Sequence, residues 1–376
     1  MERLLITLIL VCTMNNITNA QNPFYGQYHT PHEAVPFDRI ETEHYEPAIL
    51  EGIKLQNAEI EAIIQNPEKA DFTNTIEAFE ESGKLLDKVV AVFGNMLSAE
   101  TNDDLQELAQ KIMPLLSEHS NNITLNEKLF ARVKEVYNQK ETLQLTQEQK
   151  QLLENAYNSF IRHGANLEGE AREEYRRLTT ELSKLTLTFS ENNLKETNAY
   201  QMLLTKKESL AGLPEIIIEA AAETAKNEEK EGWAFTLHAP SYIPFMTYSD
   251  NRDLRQKLYM AYNTKCTHDN EFNNIDIVKK IANTRMKIAQ LLGYKDYAEY
   301  TLKKRMAENS KSVYKLLNQL LEAYTPTAQQ EYKEIQELAR EEQGADFVVM
   351  PWDWSYYSNK PVSYTHLRAH ETDQYL

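Results

Sequence analysis

Cysteine is almost missing from this chain, with Cys12 and Cys266 the only two among 376 residues. If a leader ends at Ala20, Cys266 stands alone in the mature chain and no intrachain disulfide can form. The fold must then rest on its apolar core. Glycine (10) and proline (12) are also sparse. That excludes a glycine-rich phosphate loop and, beside abundant Leu, Glu, Lys, Gln and Ala, favours helix. Positive charge is in deficit: 40 Lys and Arg face 57 Asp and Glu, for a net charge of −17. Such acidity disfavours nucleic-acid backbones and anionic membrane surfaces as partners. Long apolar runs are lacking, so no membrane span is expected.

A hydrophobic content of 41% and an aromatic content of 10% suit a folded chain, and its length allows two domains with large cores. The run LLITLILVC follows Arg3 and precedes polar residues ending in Thr18-Asn19-Ala20. It is too short to cross a bilayer but fits a secretory signal peptide over 1–20.

Residues 21–44 combine aromatics, prolines and histidines, and are expected to lie on the body as an extended arm. Helix is expected over Tyr45–Asn66, with Ile49, Ile53, Ile60, Ile63 and Ile64 largely on one face. From Ile76 through Phe79, Gly83, Leu86, Val90 and Phe93 to Leu97, apolar residues step by three and four. That spacing predicts one long core-facing helix, with a capping box at Asn74 and Glu77 and a close neighbour at Gly83. Asn102 is expected to cap a helix that Pro114 kinks or ends. Further helices are expected over Asn126–Asn138, from the Thr146–Gln149 capping box onward, and over 168–195. Ala199–Thr205 and Trp233–His238 read as strands flanking a helix that Leu213-Pro214 opens. The stretch Gly232–Lys265 crowds Trp233, Phe235, Tyr242, Phe245, Met246 and Tyr248 around Pro240 and Pro244. Its proline-broken half reads as neither helix nor central strand, and the whole as a junction of two parts. Helices then follow over Asp250–Thr264, Ile275–Leu292, Asp296–Lys304, Ser310–Tyr324 and Pro326–Gln343.

Candidate chemistry is thin. His29, His32 and Glu33 form H-x-x-H-E, but Pro31 keeps the imidazoles off one helical face. His366 and His370 have the i, i+4 spacing of a zinc-binding helix. Glu371, however, follows the second histidine, and Leu367 stands where a catalytic glutamate is needed. Cys266 has no nucleophile signature around it, although His268 lies two residues on. His44, His119, His163 and His238 are isolated. Arg252 and Arg255 read as a salt bridge at a helix start rather than a substrate clamp. By chemistry alone the chain is a secreted, mostly helical globular protein.

Several segments nevertheless resemble the thimet-oligopeptidase family of zinc metallopeptidases, and within it the bacterial peptidyl-dipeptidase Dcp and oligopeptidase A group. They are FDRIETEHYEPAILEGI (37–53), FTNTIEAFEESGKLLDKV (72–89), LLENAYNSFIRHGANL (152–167), GWAFTLHAPSYIPFMTYSDNRDLRQKLYMAY (232–262), LLGYKDYAEYTLKKRMA (291–307) and WDWSYYSNK (352–360). The resemblance implies a mainly α, multi-helical, two-part ellipsoid of the neurolysin-like type, truncated here, with minor β in the middle. It implies zinc-dependent cleavage of short unstructured peptides held in a channel, either as a peptidyl-dipeptidase releasing C-terminal dipeptides or as an oligopeptidase cutting internally. In the family a zinc-bound water attacks the peptide with a glutamate as base.

This chain departs from the pattern where the chemistry lies. Family members are nearly twice as long, and their H-E-x-x-H helix and third ligand fall beyond the point matching Lys360. No catalytic or metal residue can therefore be carried over, substrate-binding residues stay unassigned, and no zinc is expected to bind through the family site. Expected parts are a signal peptide over 1–20, an N-terminal helical domain over 21–231, the incomplete start of a catalytic domain over 232–360, and a non-native tail over 361–376. The expected protein is the N-terminal part of an exported, periplasmic, monomeric peptidase that is inactive as it stands. Short peptides would be the substrates of the full-length enzyme. The alternative is a non-catalytic secreted helical protein that binds peptides.

Overall fold

The computed structural model describes residues 22–360. The expected leader over 1–20 and the tail over 361–376, with His366, His370 and Glu371, lie outside the described residues. The described chain forms two compact units. One holds the residues up to Leu187 together with Asn283–Tyr297; the other holds Thr188–Ala282 and the residues from Ala298 onward.

In the first unit the arm over 22–40 is a series of short 3-10 turns, Pro23–Tyr25, Pro31–Glu33 and Phe37–Arg39. It docks through buried Phe24 and Tyr28. Helix α1 (Thr42–Gln65) follows. The long helix expected next is interrupted. Residues Phe72–Glu77 form a π-helical turn capped reciprocally by Asp71 and Asn74, rather than by the Asn74–Glu77 box. A short α turn, Ala78–Glu80, leads to Gly83 in the left-handed region at φ 80°, where only glycine is unstrained. Helix α2 (Lys84–Ala99) begins there, and its buried face is Leu86, Val89, Val92 and Phe93. The break shifts the stripe, so Val89 takes the place read for Val90.

Gly83 does admit a neighbour: its N–H donates to the Glu59 carboxylate at 2.8 Å. The tighter approach is at Gly52 on α1, where an added methyl would sit 2.9 Å from the Leu86 Cα. Gly52→Ala should therefore destabilise the protein by about 1–3 kcal/mol through overpacking, although alanine is the better helix former by about 1 kcal/mol. Urea unfolding tests this, and a neutral or stabilising result would show that the two helices can part without cost.

Helix α3 (Asp103–Thr124) starts where Asn102 accepts the Leu105 N–H at 2.8 Å, and it runs through Pro114 instead of stopping there. Buried Ile112 and His119 on either side of the proline hold both halves, and only one backbone bond is lost. Helix α4 (Glu127–Asn138) is capped by Asn126. Helix α5 (Gln147–Arg162) starts from the expected Thr146–Gln149 capping box. One core cluster joins Tyr45, Ile49, Leu86, Phe93, Leu105 and Ile112. A second joins Ile60, Phe72, Ile76, Leu129, Val133 and Phe160, so α1 contributes to both. Helix α6 (Gly169–Ala199) is the long helix expected over 168–195, and from Thr188 it belongs to the second unit.

In the second unit, β1 (Met202–Leu204) pairs antiparallel with β2 (Trp233–Phe235), in register Met202 to Phe235 and Leu204 to Trp233. Helix α7 (Glu215–Asn227) lies between them in sequence, with Pro214 at its N-cap. The proline-broken run then departs from expectation, since Ala239–Tyr248 is helix α8. Pro240 occupies its first turn, where no N–H is needed, and Pro244 removes a single bond. Phe245 and Met246 are buried in a core with Met202, Phe235, Leu237 and Leu258, and that burial holds the helix together. Helix α9 (Arg252–Asn263) follows; α10 (Ile275–Leu291) passes into the first unit at Asn283, and α11 (Tyr297–Leu302) returns to the second from Ala298. Ser310–Gln343 is one helix, α12, with Pro326 inside it rather than at a boundary. Strong helix formers on both sides carry the ladder past the missing N–H.

Candidate functional site

Asn251 caps α9 by accepting the Leu254 N–H at 3.2 Å. Arg252 and Arg255, three residues apart, therefore share a helical face. Both close on Asp353 of the 3-10 turn Pro351–Asp353. Arg252 meets the carboxylate through Nε at 3.0 and 3.1 Å and Nη2 at 2.7 Å. Arg255 Nη2 donates to Oδ1 at 2.8 Å, and the Met350 N–H to Oδ2 at 3.0 Å. The remaining Arg255 nitrogens donate to the carbonyls of Ser249 (2.7 Å) and Trp352 (3.2 Å). Asp353 is fully buried and Arg255 is 1% exposed. The ion pair expected of the two arginines is present, but its partner lies about a hundred residues downstream rather than at the helix start.

Aromatic faces complete the assembly. The Arg252 guanidinium lies 4.3 Å from the Phe347 ring centroid, and that of Arg255 lies 4.1 Å from Tyr356. Tyr356 donates to Asp250 at 2.8 Å, and Lys360 pairs with Glu342. Burial alone would raise the Asp353 carboxyl, but hydrogen bonds from both arginines outweigh it and hold it below the usual range. Burial pushes the Tyr356 and Tyr357 phenols up. A carboxylate locked between two cations has no proton to give near neutral pH. This cluster fastens α9 to the segment around 347–357, and it does not present an acid or base to a substrate.

A second polar cluster surrounds Cys266, which is buried with φ 58°. The Glu196 carboxylate accepts its backbone N–H, meets His268 Nδ1 at 2.8 Å, and accepts from Asn270 at 3.4 Å. Thr264 Oγ1 lies 3.2 Å from His268 Nε2. Burial first, and then the Glu196 carboxylate, push the Cys266 thiol up to about 11. A nucleophilic cysteine needs the reverse. The group works as a loop clamp, and His268 serves Glu196 rather than the thiol.

The other histidines are dispersed. His29, His32 and Glu33 are exposed and all in the left-handed region. His44 accepts the Glu41 N–H at 2.9 Å at the start of α1. His163 Nδ1 lies 2.8 Å from the Ser159 carbonyl, and His238 stands at the N-cap of α8. His119 is buried beside Gln56 (2.7 Å), and burial lowers its pKa. Among the described residues, no group of three or more His, Cys, Asp or Glu is placed to hold a metal ion. They do not supply the donor set that zinc requires. Asp353 and Glu196 were not singled out by their sequence context. The only hint of Asp353 was its place in the W-D-W stretch, and nothing near Glu196 points to Cys266.

Fold and clusters together define a mainly helical protein of two units, with an Arg–Asp–Arg lock inside the second. Residues 245–375 match peptidase family M3. The chain is 34% identical to the dipeptidyl carboxypeptidase of Escherichia coli (strain K12) over 340 residues, covering 90% of this chain and 50% of that protein. It is 31% identical to oligopeptidase A of the same organism over 335 residues (88% and 49%). Against oligopeptidase A of Salmonella typhimurium it is 30% identical over 343 residues (90% and 50%). The chain is a relative of peptidase family M3, and it spans about half the length of the curated relatives it matches.

Proposed function

We propose that this chain forms the N-terminal part of an exported zinc metallopeptidase that hydrolyses short unstructured peptides and releases C-terminal dipeptides. One observation carries the reading: similarity runs through 90% of this chain but covers only half of the dipeptidyl carboxypeptidase. The short apolar run over 4–12 supports export. In this reading the chain contributes framework and substrate walls, and the metal-bearing helices belong to the half it does not match. No catalytic step is assigned to the described residues.

The whole chain, purified and supplied with zinc, should release nothing from an unstructured peptide. Joined to the unmatched half of the Escherichia coli dipeptidyl carboxypeptidase, residues 22–360 should give chelator-sensitive release of C-terminal dipeptides. Hydrolysis by the chain alone would overturn the proposal, as would a folded, zinc-loaded chimaera that is inert.

A further inference from the structure

Helix α11 ends at Leu302, and α12 begins at Ser310, where Asn309 accepts the Ser312 N–H at 3.0 Å. The turn between them is unusual for so acidic a chain. Lys303, Lys304 and Arg305 stand side by side, all exposed, and Met306 after them is fully exposed. None of the three cations meets a carboxylate among the described residues. Glu308 holds a left-handed φ of 60°, a strained conformation for a residue with a side chain. The surroundings give the turn little hold. The last third of α12 packs through Ile335 and Ala339, but no residue between Ala289 and Ile335 is buried. An endopeptidase must draw several residues on either side of a bond into extended form, and the cost is set by the contacts they give up. Here that cost is small. Two competing basic positions are held down. Lys206 and Lys207 are exposed but lie between buried Leu204 and Leu210, and Leu204 is paired with Trp233. Arg39 donates to the Tyr28 carbonyl at 3.0 Å, in an arm anchored by Phe24 and Tyr28.

We infer that this turn is a processing site for a Lys/Arg-specific endopeptidase, cut at the bond between Arg305 and Met306, and that the cut chain stays together as a two-piece molecule. The step consumes one water. Its oxygen joins the Arg305 carbonyl carbon to leave a carboxylate, the C–N bond breaks, and its two protons pass to the Met306 nitrogen, which becomes an ammonium. The protease supplies nucleophile and base, and its acidic pocket recognises the unpaired cation. The ties that hold the pieces lie outside the turn. Asp353 receives Arg252 and Arg255 across the cut, at 2.7 and 2.8 Å. Arg252 also donates to the Val348 carbonyl at 2.9 Å, and Tyr356 to Asp250 at 2.8 Å. Trp352 packs against the core of Phe245 and Leu258. The Arg–Asp–Arg lock thereby becomes the join of a divided chain.

The test treats the whole purified chain with a low dose of trypsin and follows the fragments by mass spectrometry and gel filtration. Within residues 22–360, the first cut should create Met306 as a new amino terminus. Both pieces should then elute together at the size of the parent. The triple variant Lys303→Gln/Lys304→Gln/Arg305→Gln should melt as the parent does, because these side chains are exposed. Residues 22–360 of that variant should survive trypsin at least about threefold longer, since every other site opens less often. A Glu-specific endopeptidase should still cut the triple variant after Glu308, which keeps the loss of recognition distinct from a closed turn. A first cut elsewhere within 22–360 would overturn the inference, as would a triple variant digested as fast as the parent. So would a turn that resists the Glu-specific enzyme, or pieces that separate once cut.

Discussion

Asp353→Asn is expected to lower stability by about 3–5 kcal/mol, the usual cost of removing one partner from a buried ion pair. Arg255 is 1% exposed and would keep its charge with no carboxylate to meet it. Arg252 would suffer less, because it is partly exposed and also donates to the Val348 carbonyl at 2.9 Å. The Met350 N–H would face an amide that satisfies it only in one orientation. The lock also has a pH signature. Because the Asp353 carboxyl is held below its usual value, its contribution is fully present above the unfolded-state value near 3.9. It is lost as pH falls through the lower, folded value. Denaturant titrations should show an acid limb in the parent that is shallower in Asp353→Asn. A variant within about 1 kcal/mol of the parent would mean that water already screens the cluster.

Phe93→Ala should cost a similar amount, about 3–5 kcal/mol, for a different reason. Phe93 is 1% exposed and its ring centroid lies 5.2 Å from that of Tyr45, which lies 5.4 Å from Phe24. Truncation opens a cavity beneath a chain of three rings, and the last ring is the anchor of the arm over 22–40. The arm keeps polar ties, with Lys88 donating to the Gly26 carbonyl at 2.7 Å and lying 3.9 Å from the Tyr28 ring centroid. These are partly exposed and cannot replace the apolar anchor. Limited proteolysis should therefore cut the variant ahead of Thr42 at denaturant concentrations where the parent resists. Phe93→Leu, which refills most of the volume, should recover most of the stability. If the variant unfolds like the parent and its arm stays protected, the docking of the arm does not depend on this aromatic chain.

Short-range chemistry in this protein was legible without coordinates. Asn102 and Thr146 cap the helices expected of them, because a side-chain oxygen reaching an N–H three residues on depends only on local spacing. The strand pair over 202–204 and 233–235 was visible as two apolar runs set among helices. Proline was the least reliable guide. Pro114, Pro244 and Pro326 all lie inside helices, since one lost backbone bond is small beside what the rest of a long or well-packed helix gains. The break at Gly83 was hidden for a related reason: a stripe with the correct period continues across a left-handed turn without any change in composition.

The residues alone settle the helical character, the acidic surface, the capped boundaries and the collinear resemblance to peptidase family M3. Each of these follows from side-chain chemistry within a few positions or from the order of segments. Folding alone brings Asp353 to Arg252 and Arg255 across about a hundred residues, Glu196 to Cys266 and His268, and Leu86 against Gly52. It also leaves one half of α12 buried and the other bare. Those pairings depend on which surfaces meet when apolar faces are withdrawn from water, and that choice is made by the packed chain as a whole.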